Sequence, residues 1–205
     1  EVIANGIDEN CDGHDTCWQD LDGDGYGSTV VITSAASICD PASSEVTTPG
    51  DCDVVSSQAA NVYPGAPEIA VDGIDQDCDD ADHCYQDLDG DGFGSTISIP
   101  GDDMICGNVT GESASDEDCD DTGVSAADIF PNAPEIPADG IDQDCDTYDD
   151  CYQDLDLDGW GSSVVIEGTA ANCGFVDGEA SQTGDCDDVT SSASAVFPGA
   201  PETPV

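Results

Sequence analysis

The stretch Asp20-Leu-Asp22-Gly-Asp24-Gly-Tyr26-Gly-Ser28 sets carboxylates at its first, third and fifth positions and glycine at its sixth. Near copies run from Asp87 through Asp89, Asp91 and Phe93, and from Asp154 through Asp156, Asp158 and Trp160. In a tight loop alternate residues turn their oxygens inward, and Ca²⁺ takes about six to eight of them. Three carboxylates, the glycine and a backbone carbonyl at the seventh position make the front half of an EF-hand calcium loop. Asp20, Asp22, Asp24 and the Tyr26 carbonyl are therefore expected ligands, as are their counterparts through Phe93 and Trp160. The back half is missing. Its twelfth position, usually a bidentate glutamate, is Val31, Ser98 or Val165. An acidic residue from another segment must close the shell, and Asp51 and Asp53 are the expected donors.

Two further clusters alternate oxygens in the same way. Asp8, Asn10 and Asp12, with Asp15 beyond, recur as Asp75, Asp77, Asp79 and Asp82, then as Asp142, Asp144, Asp146 and Asp149. Asp51-Cys52-Asp53 recurs as Asp118-Cys-Asp120-Asp121 and as Asp185-Cys-Asp187-Asp188. Oxygen donors without paired imidazole or thiolate suit Ca²⁺ over Zn²⁺ or Cu²⁺, and no Cys-x-x-Cys spacing occurs. A second ion is expected to use the remaining oxygens of the Asp51–Asp53 turn, or Glu68 with Asp75 across the Pro-Gly-Ala-Pro turn, and so to tie one repeat to the next. Glu135 and Glu202 stand in the same place. About two to three ions per repeat are expected, from roughly two to four carboxylates each.

The spacing behind these clusters is constant. The glutamate after Pro-Gly-Ala-Pro or Pro-Asn-Ala-Pro falls at Glu68, Glu135 and Glu202, 67 residues apart, and Glu1 shares the phase. Residues 1–67, 68–134 and 135–201 are three repeats, and 202–205 begin a fourth or link to another subunit. The 12 cysteines form four columns of three. Acidic positions filled in every copy include Glu1, Asp8, Asp12, Asp15, Asp20, Asp22, Asp24, Asp51 and Asp53. The two histidines recur nowhere, which makes them surface residues rather than ligands. Nine of the 11 aromatics sit in three columns, a pattern expected of one small apolar cluster per repeat.

Composition narrows the function. With 48 acidic side chains, no lysine or arginine and a formal charge of −48, the surface cannot neutralise phosphates, so nucleic acid and anionic membranes are poor partners and no nucleic acid is expected to bind. No apolar run is long enough to insert in a membrane. Leu, Ile, Val and Phe make up only 37 of 205 residues, too few to order a chain by core burial alone. Disulfides and bound cations must order it instead. An even number of cysteines points to an oxidising compartment. The chain opens on Glu1 in mid-repeat and is expected to be a mature or excised portion of a longer product.

The elements that must position the carboxylates are few. Ser28–Thr33, Ser95–Ile99 and Ser162–Ile166 read as strands. Residues 54–62 and 189–196 suit short helical turns, each ended by a proline. The rest is turn chemistry. The expected fold is a tandem repeat of small disulfide- and calcium-stabilised units, mostly irregular. Four cysteines per repeat allow three pairings; the shortest loops favour Cys11–Cys17 and Cys39–Cys52.

Gly-Asp-Cys-Asp-Asp, Phe-Pro-Gly-Ala-Pro-Glu and Asp-Gly-Ile-Asp-Gln-Asp-Cys-Asp together resemble the MopE-like metal-binding repeats of bacterial surface proteins. The Asp-Leu-Asp-Gly-Asp-Gly-Phe-Gly segments also look like thrombospondin type 3 and dockerin calcium loops. The resemblance covers nearly the whole of each repeat. It implies a secreted or cell-surface bacterial protein that binds metal, and no enzyme. Two departures stand out: the segments after Glu1, Glu68 and Glu135 lack the cysteine often found there, and the copper associated with the family's namesake uses histidine and a modified tryptophan, whereas His14 and Trp18 do not recur. The function expected is that of an extracellular calcium-binding structural repeat protein, forming or extending a surface filament or stalk with other copies of itself. Alternatives are a metal-acquisition or storage protein and the stalk of a cell-surface adhesin.

Overall fold

A computed structural model describes residues 1–174, 176, 178–190 and 192–201. The chain divides into two compact units, one of residues 1–85 and 98–114, the other of 86–97 and 115–205. Among the described residues there is no α-helix, and no helix long and apolar enough to cross a membrane. Most of the backbone is turn and loop, as the glycine and aspartate content dictates.

In the first unit β1 (Thr16–Gln19) is the centre of a three-stranded sheet, with β2 (Val31–Thr33) and β3 (Glu45–Val46) antiparallel on either side. β4 (His83–Gln86), β5 (Ser98–Pro100) and β6 (Glu112–Ser113) repeat that order. In the second unit β7 (Asp150–Gln153), β8 (Val165–Glu167) and β9 (Glu179–Ala180) repeat it again. Short 3-10 turns at Ala59–Asn61, Ala126–Asp128 and Ala193–Ala195 lie where helical turns are expected. The flanking strands are shorter than their β-branched runs, and the central strands carry no such run.

Each sheet is pinned by a cystine. Cys17, fully buried on β1, pairs with Cys39, and Cys84–Cys106 and Cys151–Cys173 match it. Cys52–Cys78 lies in the first unit and Cys119–Cys145 in the second, each spanning 26 residues. Cys11 and Cys186 are unpaired. The expected Cys11–Cys17 and Cys39–Cys52 pairs are therefore wrong. Loop-closure entropy grows only logarithmically, so a loop about fourfold longer costs merely about 1 kcal/mol more. The sheet's geometry, which leaves the Cys17 and Cys39 Cα atoms 5.7 Å apart, overrides that preference.

The core is correspondingly thin: the three β-strand cystines, Val46, Val62, Ile129 and several alanines. The nine aromatics of the three recurring columns are half-buried. Tyr26 stacks on Tyr63 at 5.3 Å between ring centres, and Phe93 on Phe130 at 5.7 Å.

Candidate metal centre

The Asp20–Ser28 loop is the connection of the β1–β2 hairpin, closed at its base by Gln19 N–H to Val30 O and Ser28 N–H to Gln19 O, both 2.9 Å. Its aspartates first shape the turn. Asp20 accepts from Gly23 and Gly25 N–H at 2.7 and 3.2 Å, Asp22 from Asp24 N–H at 3.3 Å, and Asp24 from Tyr26 N–H at 2.7 Å. Gly23 and Gly25 both sit at positive φ, 85° and 98°, which glycine adopts without strain. Asp87, Asp89 and Asp91 make the same bonds to Gly90, Gly92, Asp91 and Phe93. Asp154, Asp156 and Asp158 make them to Leu157, Gly159, Asp158 and Trp160. These contacts engage one oxygen each of the third and fifth residues. The other oxygen is buried without a partner, and the carbonyls of Tyr26, Phe93 and Trp160 accept no hydrogen bond among the described residues.

A distant segment then joins the loop. Gly27 N–H donates to Thr48 O at 2.8 Å, and Gly50 and Asp51 N–H both donate to Gly27 O, at 2.9 and 3.2 Å. This short parallel bridge lays Asp51 against the loop. Asp118 is placed alike by Gly94 O at 3.2 Å, and Asp185 by Gly161 O at 3.1 Å. The consequence is a set of buried carboxylate oxygens with no partner: Oδ2 of Asp22, Asp24 and Asp51 in the first loop. In the second they are Oδ2 of Asp89, Asp91, Asp118 and Asp121; in the third, of Asp156, Asp158, Asp185 and Asp188.

Buried, unpaired anionic oxygens packed together are costly unless a cation compensates them. Burial, followed by the charges of Asp22 and Asp24, pushes the Asp51 carboxyl up to about 6. Burial likewise raises Asp22, Asp89, Asp91, Asp118 and Asp156. The chain has no lysine or arginine to supply the charge. All the donors are hard oxygens from carboxylates, with a free carbonyl at the seventh position, so the set fits a hard divalent cation. The aspartates of Asp20–Asp24 bring ligand oxygens within 4.8 Å of one another, as do Asp87, Asp89 and Asp121.

Asp53, Asp120 and Asp187 face elsewhere. Asp53 accepts from Val55 and Ser56 N–H at 3.1 and 3.0 Å, Asp120 from Gly123 N–H at 2.8 Å and Asp187 from Thr190 N–H at 3.1 Å. Hydrogen bonds from Ser56 and Thr190 hold Asp53 and Asp187 below the usual carboxylate range. These three cap the turn that follows.

A second type of cluster forms around the glutamates. Glu68 accepts Asp77 N–H on Oε1 at 2.8 Å, while Glu68 Oε2 and Asp77 Oδ1 are buried without partners. Oxygens of Glu68, Asp75 and Asp77 lie within 4.8 Å, and so do those of Glu1, Asp8 and Asp12. Burial raises the carboxyls of Glu68, Asp77, Glu135 and Asp144. Glu135, Asp144 and Asp146 line one cleft of about 240 Å³. In the first copy Asn10 replaces the second aspartate and donates its amide to Glu1 at 3.3 Å. Asp75 and Asp142 also cap their turns, through Asp79 and Asp80 N–H and through Asp146 and Thr147 N–H; Asp79 and Asp146 cap the next residues on.

Asp15, Asp82 and Asp149 are almost wholly buried and anchor backbone. They accept from Gly6, Gly73 and Gly140 N–H at 2.9, 2.8 and 2.8 Å. Glu202 lies outside the described residues.

Two groups stand outside the expected ligand set, although both belong to the third acidic cluster of the sequence. Asp121 and Asp188 each bring a partnerless oxygen to a loop and accept Leu88 and Leu155 N–H. Their column contains Val54, so a search for positions acidic in every copy passes over them. Glu45, Glu112 and Glu179 do fill such a column, but they are buried within the edge strands β3, β6 and β9. Glu45 there accepts Ser34 Oγ and Asp40 N–H at 2.7 and 3.0 Å, and Glu112 accepts Asp102 N–H.

A family model, Cu-binding MopE, described as "Putative metal-binding motif", matches residues 1–15, 51–83, 114–124, 118–150 and 185–204, together just over half of the chain. The matched segments carry the glutamate-centred clusters and the Cys52–Cys78 and Cys119–Cys145 cystines; the hairpin loops fall between them. No curated protein and no solved structure matches the chain.

Proposed function

We propose, on the premise that the chain belongs to the MopE family of metal-binding motifs, that it is an extracellular calcium-binding structural protein. Its tandem repeats are stabilised by calcium and build or extend a surface filament or stalk by association with other copies. The observation that carries the calcium assignment is the convergence of buried, partnerless oxygens from two segments at each hairpin loop. An ion there joins the loop to the chain some 25 residues further on, replacing the apolar core that the sequence cannot supply. Five disulfides support an oxidising compartment. The carboxylates serve as backbone anchors and ion ligands, and no catalytic role belongs to this function.

A transition metal has one specific observation in its favour. Burial raises the Glu68 and Asp77 carboxyls, and His83 lies near enough that its charge offsets a small part of that rise. Its counterparts are Thr16 and Asp150, so such a site would be confined to one of the glutamate clusters. Elemental analysis of protein purified from its source without added metal distinguishes the two ions. About six calcium ions per chain, from three loops and three glutamate clusters, are expected. Copper or zinc in place of calcium would reject the proposal.

A further inference from the structure

Cys11 and Cys186 are unpaired and exposed, and they are not equivalent. Cys11 stands at the position of Cys78 and Cys145, and Cys186 at that of Cys52 and Cys119. The chain thus carries one of each half of a cystine that it forms twice within itself.

The surroundings of the two halves follow suit. Beside Cys52–Cys78, Tyr63 N–H donates to Gln76 O at 2.8 Å and Gly65 N–H to Asp77 O at 3.2 Å. Beside Cys119–Cys145, Phe130 and Asn132 donate to Gln143 and Asp144 at the same two distances. At the corresponding places Phe197 and Gly199 N–H have no acceptor among the described residues, and the Glu9 and Asn10 carbonyls have no donor. Burial shows the same split. Val62 and Ile129 are 2% and 6% exposed, and Gln76 and Gln143 4% each. Their counterparts Val196 and Glu9 are half-buried and exposed.

Both halves nevertheless keep the bonded shape. Cys11 has φ of 60°, against 62° and 61° for Cys78 and Cys145. The turn at Cys186, with Asp187 N–H on Asp185 Oδ1 at 2.9 Å, matches that of Asp53 on Asp51. Two unpaired thiols, two orphan donors and two orphan acceptors therefore stand in the register of a joint seen twice.

We propose that Cys186 of one copy forms a disulfide with Cys11 of a second copy, joining copies head to tail. This deepens the self-association in the proposed function and is independent of the ion assigned there. The oxidant is a small-molecule disulfide such as oxidised glutathione. One cysteine thiolate attacks it and releases a first glutathione thiol; the other attacks the mixed disulfide and releases a second. Two protein thiols thus become one cystine as one oxidised glutathione becomes two reduced. Every added copy presents a new free Cys11 or Cys186, so the contact is heterologous and open-ended.

The test uses the full chain, refolded with millimolar calcium to screen the acidic faces and oxidised in a glutathione buffer. A non-reducing denaturing gel should show a ladder of chain multiples that reduction collapses, and peptide mapping should recover Cys11 linked to Cys186. Cys11→Ser and Cys186→Ser should each stop growth at a dimer or below, while an equimolar mixture of the two should give a mixed dimer through the remaining cysteines. Unchanged near-ultraviolet circular dichroism would show both variants folded. A closed monomer linked from Cys11 to Cys186, links only between like cysteines, or attachment of Cys186 to a cysteine outside these 205 residues would overturn the proposal. Copies associating with both thiols free would also overturn it, and would leave the calcium assignment standing.

Discussion

Asp51 donates its backbone N–H to Gly27 O at 3.2 Å, and with the bonds of Gly50 N–H to Gly27 O and Gly27 N–H to Thr48 O this brings a carboxylate from after β3 to the mouth of the β1–β2 loop. Gly27 is what permits the approach. A Cβ there would come within 2.5 Å of the Trp18 Cβ and 2.9 Å of a Val46 methyl, so the crossing segment would be pushed away. Gly27→Ala should destabilise the calcium-loaded protein by about 1–3 kcal/mol, the usual cost of overpacking, and should weaken calcium at the first loop. Chemical denaturation with and without calcium measures both.

Acid should act in opposite directions on the ion-free and calcium-loaded protein. The Asp51 carboxyl is raised from 3.8 to about 6 by burial and its neighbours, so the ion-free fold binds a proton more tightly than the unfolded chain. Its stability should fall as pH rises from about 4 to 6, with the full penalty present above 6. Asp22, Asp89, Asp91 and Asp118 shift the same way. With calcium bound, protons compete with the ion, so lowering the pH over that range should destabilise. Melting curves at pH 7.5 and pH 5 in chelator and in calcium read the crossing.

The loops should differ in affinity because their carboxylate sets differ. The second and third each have four partnerless oxygens, including those of Asp121 and Asp188, while the first has three and Val54 in that place. Val54→Asp should tighten the first loop, and Asp121→Val should weaken the second by at least about tenfold, a loss seen even for outer-shell partners of metals. Calcium titration followed by calorimetry separates the classes.

Leu157 is the strained residue of the third loop. It holds φ of 65° where Gly23 and Gly90 hold 85°, a conformation costing an L-residue roughly 1–2 kcal/mol. Glycine recovers that cost but adds chain entropy, so Leu157→Gly should stabilise by at most about 1 kcal/mol. A melting temperature lower than that of the parent would contradict it.

The chemistry of the sites was more legible in the sequence than their assembly. Alternating aspartates announce a loop because each one shapes its own turn through nearby N–H groups. The helical turns before Pro64, Pro131 and Pro198 were equally visible. What joins the loop to Asp51 is a pair of bonds from Gly50 and Asp51 to Gly27 O, main-chain contacts that leave no side-chain pattern to read. β1, Thr-Cys-Trp-Gln, has no β-branched alternation and is a strand because both neighbours pair with it. The cystines were misread for the same reason: sheet geometry, not loop length, chooses Cys39 for Cys17. Asp121 is visible in its acidic cluster, but Val54 in the first copy of its column hides its role as a ligand.

The central claim is that Asp51, Asp118 and Asp185 complete the three loops as calcium sites. Calorimetric titration of calcium into the ion-free protein, compared with the triple variant Asp51→Asn, Asp118→Asn and Asp185→Asn, tests it most directly. The predicted result is the loss or severe weakening of about three sites, with the glutamate-centred sites still filling. A triple variant that binds as much calcium as the parent, with the same affinities, would contradict the account.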